Sequence, residues 1–295
     1  MDSETEVSEK LGAIKTGDEI ETLSQSVLRM EISINEYIDN ITRITAEKER
    51  IGAELNVATQ IQANMLPSIF PPFPDRNEFD LYATMMPAKE VGGDFYDFFM
   101  VDDDHVELVI ADVSGKGVPA ALFMVIAKTL LKNQAAATSS PAEILSKVNM
   151  QLCENNDAQM FVTTWLGIYE ISTGKVRAAN AGHEYPALRR ANGSFELLKD
   201  KHGFVLGGME GLKFKEYEFE IEPGGVLFVY TDGVAEATDT ADQLFGTDRM
   251  LDALNIDPHA APEKLISNVK EAIDEFVGEA PQFDDTTMLC FKRKK

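Results

Sequence analysis

The first part of the chain repeats one helical rhythm of apolar and polar positions. Ile20, Leu23, Val27, Met30, Ile34, Tyr37, Ile41 and Ile44 follow one another in steps of three and four. Steps of that kind form the seam of a coiled coil, whose apolar positions recur about every 3.5 residues. Lys48 interrupts the seam, and Ile51, Leu55 and Ala58 resume it. Charged residues such as Glu47, Lys48, Glu49 and Arg50 fill the outer face. Pro67, Pro71, Pro72 and Pro74 then stop the helix, because proline has no amide hydrogen and clashes with the preceding turn. A seam of this length with no second helix beside it in the sequence predicts pairing with another copy of the chain. The alternative is a helix that packs back on its own domain.

Beyond Pro74 the rhythm shortens. Runs of β-branched, aromatic and other apolar residues predict strands at 81–86, 95–100, 106–111, 161–169, 176–181, 216–221, 226–230 and 287–292. Helical periodicity predicts helices over 119–136, 141–152 and 262–277, with Pro141 and Pro262 at first-turn positions. Asn192-Gly193 signals a hairpin and Pro223-Gly224-Gly225 a turn. Strands flanking helical blocks indicate an α+β layered domain, two sheets with helices outside, and no internal repeat.

Composition narrows the partners more than the fold. The apolar share of 44% leaves ample material for a core. A net charge of -23 argues against a nucleic-acid surface or an anionic membrane surface, both of which need basic patches. Cys153 and Cys290 lack metal-ligand spacing and read as free thiols in a reducing compartment. His105, His183, His202 and His259 form no zinc motif. Without a signal peptide or a long uncharged apolar run, the chain is expected to be soluble and cytoplasmic, with no membrane contact of its own.

Four aspartate-centred islands carry the candidate chemistry. They read Gly92-Gly93-Asp94-Phe95-Tyr96-Asp97, Ala111-Asp112-Val113-Ser114-Gly115, Tyr230-Thr231-Asp232-Gly233 and Phe283-Asp284-Asp285-Thr286-Thr287. Each carboxylate sits beside an apolar run or a turn-forming glycine, and must be solvated, paired or bound to a cation. Carboxylates gathered without a cation repel one another, so the four suggest one cluster built for cations. Oxygen ligands favour magnesium, manganese or calcium over zinc or copper. One Asp-Gly alone is a common turn; the four together are specific as a set.

The motifs Glu90-Val91-Gly92-Gly93-Asp94-Phe95-Tyr96-Asp97, Ala111-Asp112-Val113-Ser114-Gly115-Lys116-Gly117, Asn180-Ala181-Gly182-His183, Thr231-Asp232-Gly233-Val234 and Asp284-Asp285-Thr286-Thr287 resemble the metal-dependent PPM protein phosphatases. The likeness is strongest to their bacterial branch, the SpoIIE and RsbU kind, and covers the chain from about Ala58 onward. The segment from Thr16 to Leu23 looks like the second helix of a HAMP signalling module, which suggests a membrane sensor upstream in a longer parent. The resemblance implies a four-layer αββα sandwich over 67–295. A HAMP-remnant, coiled-coil regulatory and dimerisation helix would occupy 1–66.

It also implies a site of two divalent cations, manganese or magnesium. Asp112 matches the bridging aspartate and the Val113 carbonyl the backbone ligand after it. Asp232 and Asp284 match the remaining metal carboxylates, and Asp94 the acidic position that binds metal or a metal-bound water. Asp285 stands as a further metal position or an outer partner, as does Asp97. The implied reaction is direct hydrolysis of a phosphoserine or phosphothreonine protein by water activated between cations about 3.5–4 Å apart. The implied substrate is a STAS-type anti-sigma-factor antagonist. The rival reading is a pseudophosphatase that sequesters a phosphoprotein without cleaving it.

Departures from the family pattern leave two roles open. Ser114 stands where animal relatives have a histidine, and Lys116 where many bacterial relatives have one, so the leaving-group acid is open; a metal-bound water could serve. The phosphate-binding arginine of the animal enzymes has no counterpart; Lys89 could contact phosphate or be a solvated loop lysine. His183 reads as a turn or rim residue, Asp102-Asp103-Asp104 as a polar hairpin tip, and Phe161 to Trp165 as core strand. The basic tail Lys292-Arg293-Lys294-Lys295 reads as a frayed terminus.

Overall fold

The structure, a computed structural model, describes residues 10–294 apart from 12, 155 and 192. It divides into two compact units, one reaching to Val57 and one beginning at Ala58. In the first, the helical rhythm folds as α1 (Glu19–Met65), whose last turns belong to the second unit. Asp18 caps its start by accepting the Ile20 amide at 3.0 Å, and Glu21 accepts the Gly17 amide at 2.8 Å. Lys48 does not interrupt the helix, since lysine costs a helix little. The seam residues Ile20, Leu23, Val27, Met30, Ile34, Tyr37, Ile41 and Ile44 are all exposed. The expected boundary at 66/67 follows the end of the helix. Compactness draws the line earlier, because Gln62 is buried and Leu66 joins the main core.

Among the described residues the second unit contains ten strands. They are β1 (Phe79–Met86), β2 (Phe95–Met100), β3 (His105–Val113), β4 (Val162–Glu170), β5 (Lys175–Ala181), β6 (Ala187–Arg189), β7 (Phe195–Leu197), β8 (Glu216–Glu220), β9 (Val226–Tyr230) and β10 (Thr286–Arg293). One antiparallel sheet has the order β1-β10-β9-β6-β7 and the other β2-β3-β4-β5-β8. Helices α2 (Val118–Ala135) and α3 (Pro141–Cys153) pack on the second sheet. The single turn α4 (Asp232–Ala235) follows β9, and α5 (Gly246–Ile256) and α6 (Pro262–Val277) pack on the first sheet. The α+β reading and its four layers therefore hold. The pattern leaves α5 unmarked, because only Met250, Ala253 and Leu254 form its buried face. Strands β6 and β7 pair around the expected hairpin, whose Asn192 lies outside the described residues.

Strand periodicity divides the core in two. In β10, Leu289 and Phe291 face the other sheet, while Met288 and Cys290 face α5 and α6. In β9, Leu227 and Val229 take the first side and Val226, Phe228 and Tyr230 the second. Burial on both faces explains why these strands read as continuous apolar runs. Phe291 joins the sheets, with ring centroids 5.1 Å from Phe79 and 4.6 Å from Tyr169.

The basic tail departs from expectation. Arg293 is buried at the end of β10 and donates to the carbonyls of Thr173 and Ile221 at 3.1 and 2.8 Å. Lys292 donates to the His259 carbonyl at 2.7 Å. The strand continues here because its cations find carbonyl partners; Lys295 lies outside the described residues. Phe161 is 39% exposed, so the core strand starts one residue later, at Val162.

The helix-facing side of the second sheet holds a buried charge pair. Lys128 of α2 reaches the Asp97 carboxylate, and both are almost fully buried. Glu107 on β3 is fully buried and its carboxyl is pushed well above the usual range, by burial first and then by the charge of Asp97. Among the described residues neither of its oxygens has a hydrogen-bond partner. Lys128→Met should lower stability by about 3–5 kcal/mol, because it strands the Asp97 charge in the interior. Glu107→Met should be neutral or slightly stabilising, since it replaces a buried carboxyl without hydrogen-bond partners by an apolar side chain of similar length. Urea denaturation of the two variants checks this opposite pair of outcomes.

Candidate active site

The antiparallel topology brings four strand ends to one rim. Strand β3 ends where β2 begins, with Phe95 opposite Ala111; β9 ends where β10 begins, with Tyr230 opposite Met288. Asp112 and Val113 close β3, Asp232 opens α4 after β9, Asp284 and Asp285 precede β10, and Asp94 precedes β2. Thus chain reversals, not sequence proximity, gather the islands.

Asp285 holds this rim together. Its carboxylate accepts the amides of Ala88 at 2.8 Å, Gly93 at 2.7 Å and Asp94 at 3.4 Å, which ties the loop before β2 to the start of β10. Two glycines permit the approach. A Cβ on Gly92 would stand 2.4 Å from the Asp285 carboxylate, and one on Gly233 would stand 1.9 Å from the Asp285 carbonyl. On the other side of the same loop, the Gln62 amide donates to the Gly92 carbonyl at 2.6 Å and accepts the Gly92 amide at 3.1 Å.

The remaining carboxylates feel one another. Burial, followed by the charge of Asp112, drives the Asp94 carboxyl well above the usual range, although the Thr231 hydroxyl donates to it at 2.7 Å and opposes the rise. Asp112 is pushed up to about 6 by burial and then by the charges of Asp284 and Asp285, against the pull of Asp94's hydrogen bond and of Lys116. Asp232 is pushed up to about 7 by burial, Asp112, Glu236, Asp284 and Glu184. Asp284 pairs with the Lys116 ammonium at 2.8 Å.

The side chains of this set offer oxygen donors, which fits a hard divalent cation and not a thiolate or imidazole metal. Upward-driven carboxyls are what such a set shows when protons are left to neutralise it. Among the described residues no three His, Cys, Asp or Glu side chains form a ready-made cage for an ion. The carboxylates stand as neighbours, with Asp94 turned to Thr231 and Asp284 to Lys116.

The structure thus brings Asp94, Asp112, Asp232, Asp284 and Asp285 together and sends Asp97 to the helix layer. His183 is buried behind the rim, its Nδ1 2.8 Å from the Thr163 hydroxyl. Burial lowers its ring to about 3, so it is neutral at physiological pH. Sequence reasoning missed Thr231, Glu184 and Glu236. Thr231 lies within the motif Thr231-Asp232-Gly233; the others carry no local signal, since each meets the rim only through the fold. Lys89 is exposed on its loop.

Comparison with known proteins agrees with this geometry. The family described as Stage II sporulation protein E (SpoIIE) matches residues 102–294. Protein IcfG of Synechocystis sp. is 30% identical over 94% of this chain, and the chain spans 46% of that relative's length. Phosphoserine phosphatase RsbU of Bacillus subtilis is 28% identical over 84% of this chain and 72% of its own. Among solved structures, the SiaA-PP2C domain of Pseudomonas aeruginosa superposes with a TM-score of 0.71 at 23% identity, covering 84% of this chain and 98% of that one, and so attests the fold. Family match, αββα layers and aspartate rim coincide: the chain belongs to the SpoIIE family of PPM-type phosphatase domains.

Proposed function

We propose that this chain is a protein serine/threonine phosphatase that depends on divalent cations and hydrolyses a phosphorylated protein. One observation carries the reading: Asp94, Asp112, Asp232 and Asp284 converge on one rim, and the first three have their carboxyls driven upward. The likeness to a phosphoserine phosphatase supports the same chemistry. In this reading Asp112, the Val113 carbonyl, Asp232 and Asp284 would hold two divalent cations, manganese or magnesium, and Asp94 would hold an ion or its water. When bound, such ions supply Lewis acidity at phosphoryl oxygens and acidify water for attack. Thr231 orients Asp94 and Asp285 fixes the loop that carries it, so the protein contributes pre-positioned charge.

The substrate in this reading is a phosphorylated STAS-type antagonist in the cytoplasm. The exposed seam of α1 pairs two copies of the chain, and a sensor in a longer parent acts through the HAMP-like segment 16–23. Gln62 supports a route for control, because the end of α1 grips the loop bearing Asp94.

With manganese, the wild-type chain should hydrolyse 4-nitrophenyl phosphate. Asp232→Asn should lose about a hundredfold or more, since even outer partners of metal ligands cost about 10–100-fold. Wild-type protein that binds a phosphoprotein and releases no phosphate would favour the pseudophosphatase instead. Gln62→Ala should raise the manganese concentration for half-maximal activity by about tenfold; an unchanged manganese dependence would refute control through this contact.

A third outcome concerns pH. Asp112 and Asp232 stand at about 6 and about 7 in the fold, against 3.8 for an ordinary aspartate. A carboxyl raised by folding stabilises fully below its unfolded value, and this stabilisation is lost as pH rises through the folded value. With divalent ions chelated, stability should therefore fall between about pH 4 and pH 8. Asp232→Asn should flatten that decline and gain on the order of 2 kcal/mol at the upper end. Melting temperatures in EDTA across this range check the slope; parallel profiles for the two proteins would contradict it.

A further inference from the structure

Lys116 lies on the turn between β3 and α2. Its ammonium stands 2.8 Å from the Asp284 carboxylate, donates to the Phe283 carbonyl at 2.6 Å and sits 4.0 Å from the centre of the Phe283 ring. The side chains of the pair are 31% and 30% exposed, so solvent reaches the contact and the lysine can leave it. The charges that act on Asp94, Asp112 and Asp232 are otherwise carboxylates: Asp112, Asp284, Asp285, Glu184 and Glu236. Lys116 is the one cation among these described neighbours.

An ammonium in this place neutralises Asp284 much as a divalent ion would. The two cannot share the carboxylate closely, because like charges a few ångströms apart repel strongly in a partly buried site. The lysine stem is long and flexible and its head is a compact point charge suited to phosphate. Once displaced it remains tethered beside the rim, where a phosphoryl group must arrive to meet ions held by the aspartates.

Resting on the phosphatase reading, we propose that Lys116 is a tethered counter-ion. It holds the Asp284 carboxylate until a divalent cation takes it, and then turns to the phosphoryl oxygens of the substrate. It thereby fills the phosphate-contact role for which the sequence offers no arginine. A merely structural tie between the β3–α2 turn and the loop at Phe283 makes the opposite forecast for metal binding, since losing a tie loosens the site.

The test uses the full chain and calorimetric titration with manganese, followed by steady-state kinetics on 4-nitrophenyl phosphate. Lys116→Met should bind manganese about three- to tenfold more tightly, as expected for losing a half-exposed competing charge. The same variant should show a KM raised by about tenfold, the loss expected of one charge-assisted contact to phosphate. Lys116→Arg, which keeps the charge, should return manganese affinity to near the wild-type value. Unchanged or weaker manganese binding in Lys116→Met overturns the inference, and so does tighter binding with an unchanged KM. The calorimetric order reads the competition whether or not the wild type turns over. A wild type that binds manganese and hydrolyses nothing overturns the phosphatase reading, and with it the phosphate contact.

Discussion

Asp94, Asp112, Asp232 and Asp284 are held closer together than like charges settle by themselves. Burial and mutual repulsion raise the carboxyls of the first three, a cost that local structure cannot meet. The source of the compensation lies behind the rim. Strands β9 and β10 are buried on both faces, and each fully buried side chain there contributes about 1.5–3 kcal/mol. The sandwich core is thus what allows an unfavourable cluster of charge to persist at its edge, a pattern common where a fold stores strain for function.

Position at the rim depends on a second set of contacts. Asp285 spends its carboxylate on backbone amides, so it acts as a clasp between the start of β10 and the loop leading to Asp94. Gln62 grips that loop at Gly92 from the opposite side. The loop is therefore held from two sides, by the start of β10 and by the end of α1. Two hydrogen bonds join Gln62 to Gly92, and the backbone runs from there through Gly93 to the buried Asp94. The buried pair Lys128–Asp97 fastens α2 to the second sheet.

Much of this was legible in the chain. The seam from Ile20 to Ile44 reads as helix because its spacing is periodic, and the runs at 226–230 and 287–292 read as buried strands because they are continuously apolar. The aspartate islands were visible because each interrupts an apolar run at its end. Helix α5 escaped, with three buried residues too few to make a rhythm. The tail from Lys292 looked like a frayed terminus because its charges are local, whereas the carbonyls that satisfy them come from Thr173, Ile221 and His259.

Sequence alone determined which side chains are available: carboxylates at strand ends, a long helix with a periodic apolar seam and an acidic net charge. Those properties follow from residue type and near-neighbour spacing, which are local. Only the tertiary structure decided how the islands share their duties. Asp285 became a clasp while Asp284 met Lys116, Asp97 left for the helix layer, and Gln62 reached Gly92. The reason is physical: these assignments depend on the register of two antiparallel sheets and on which groups burial forces to find partners. Neither is encoded within the few residues around any one aspartate.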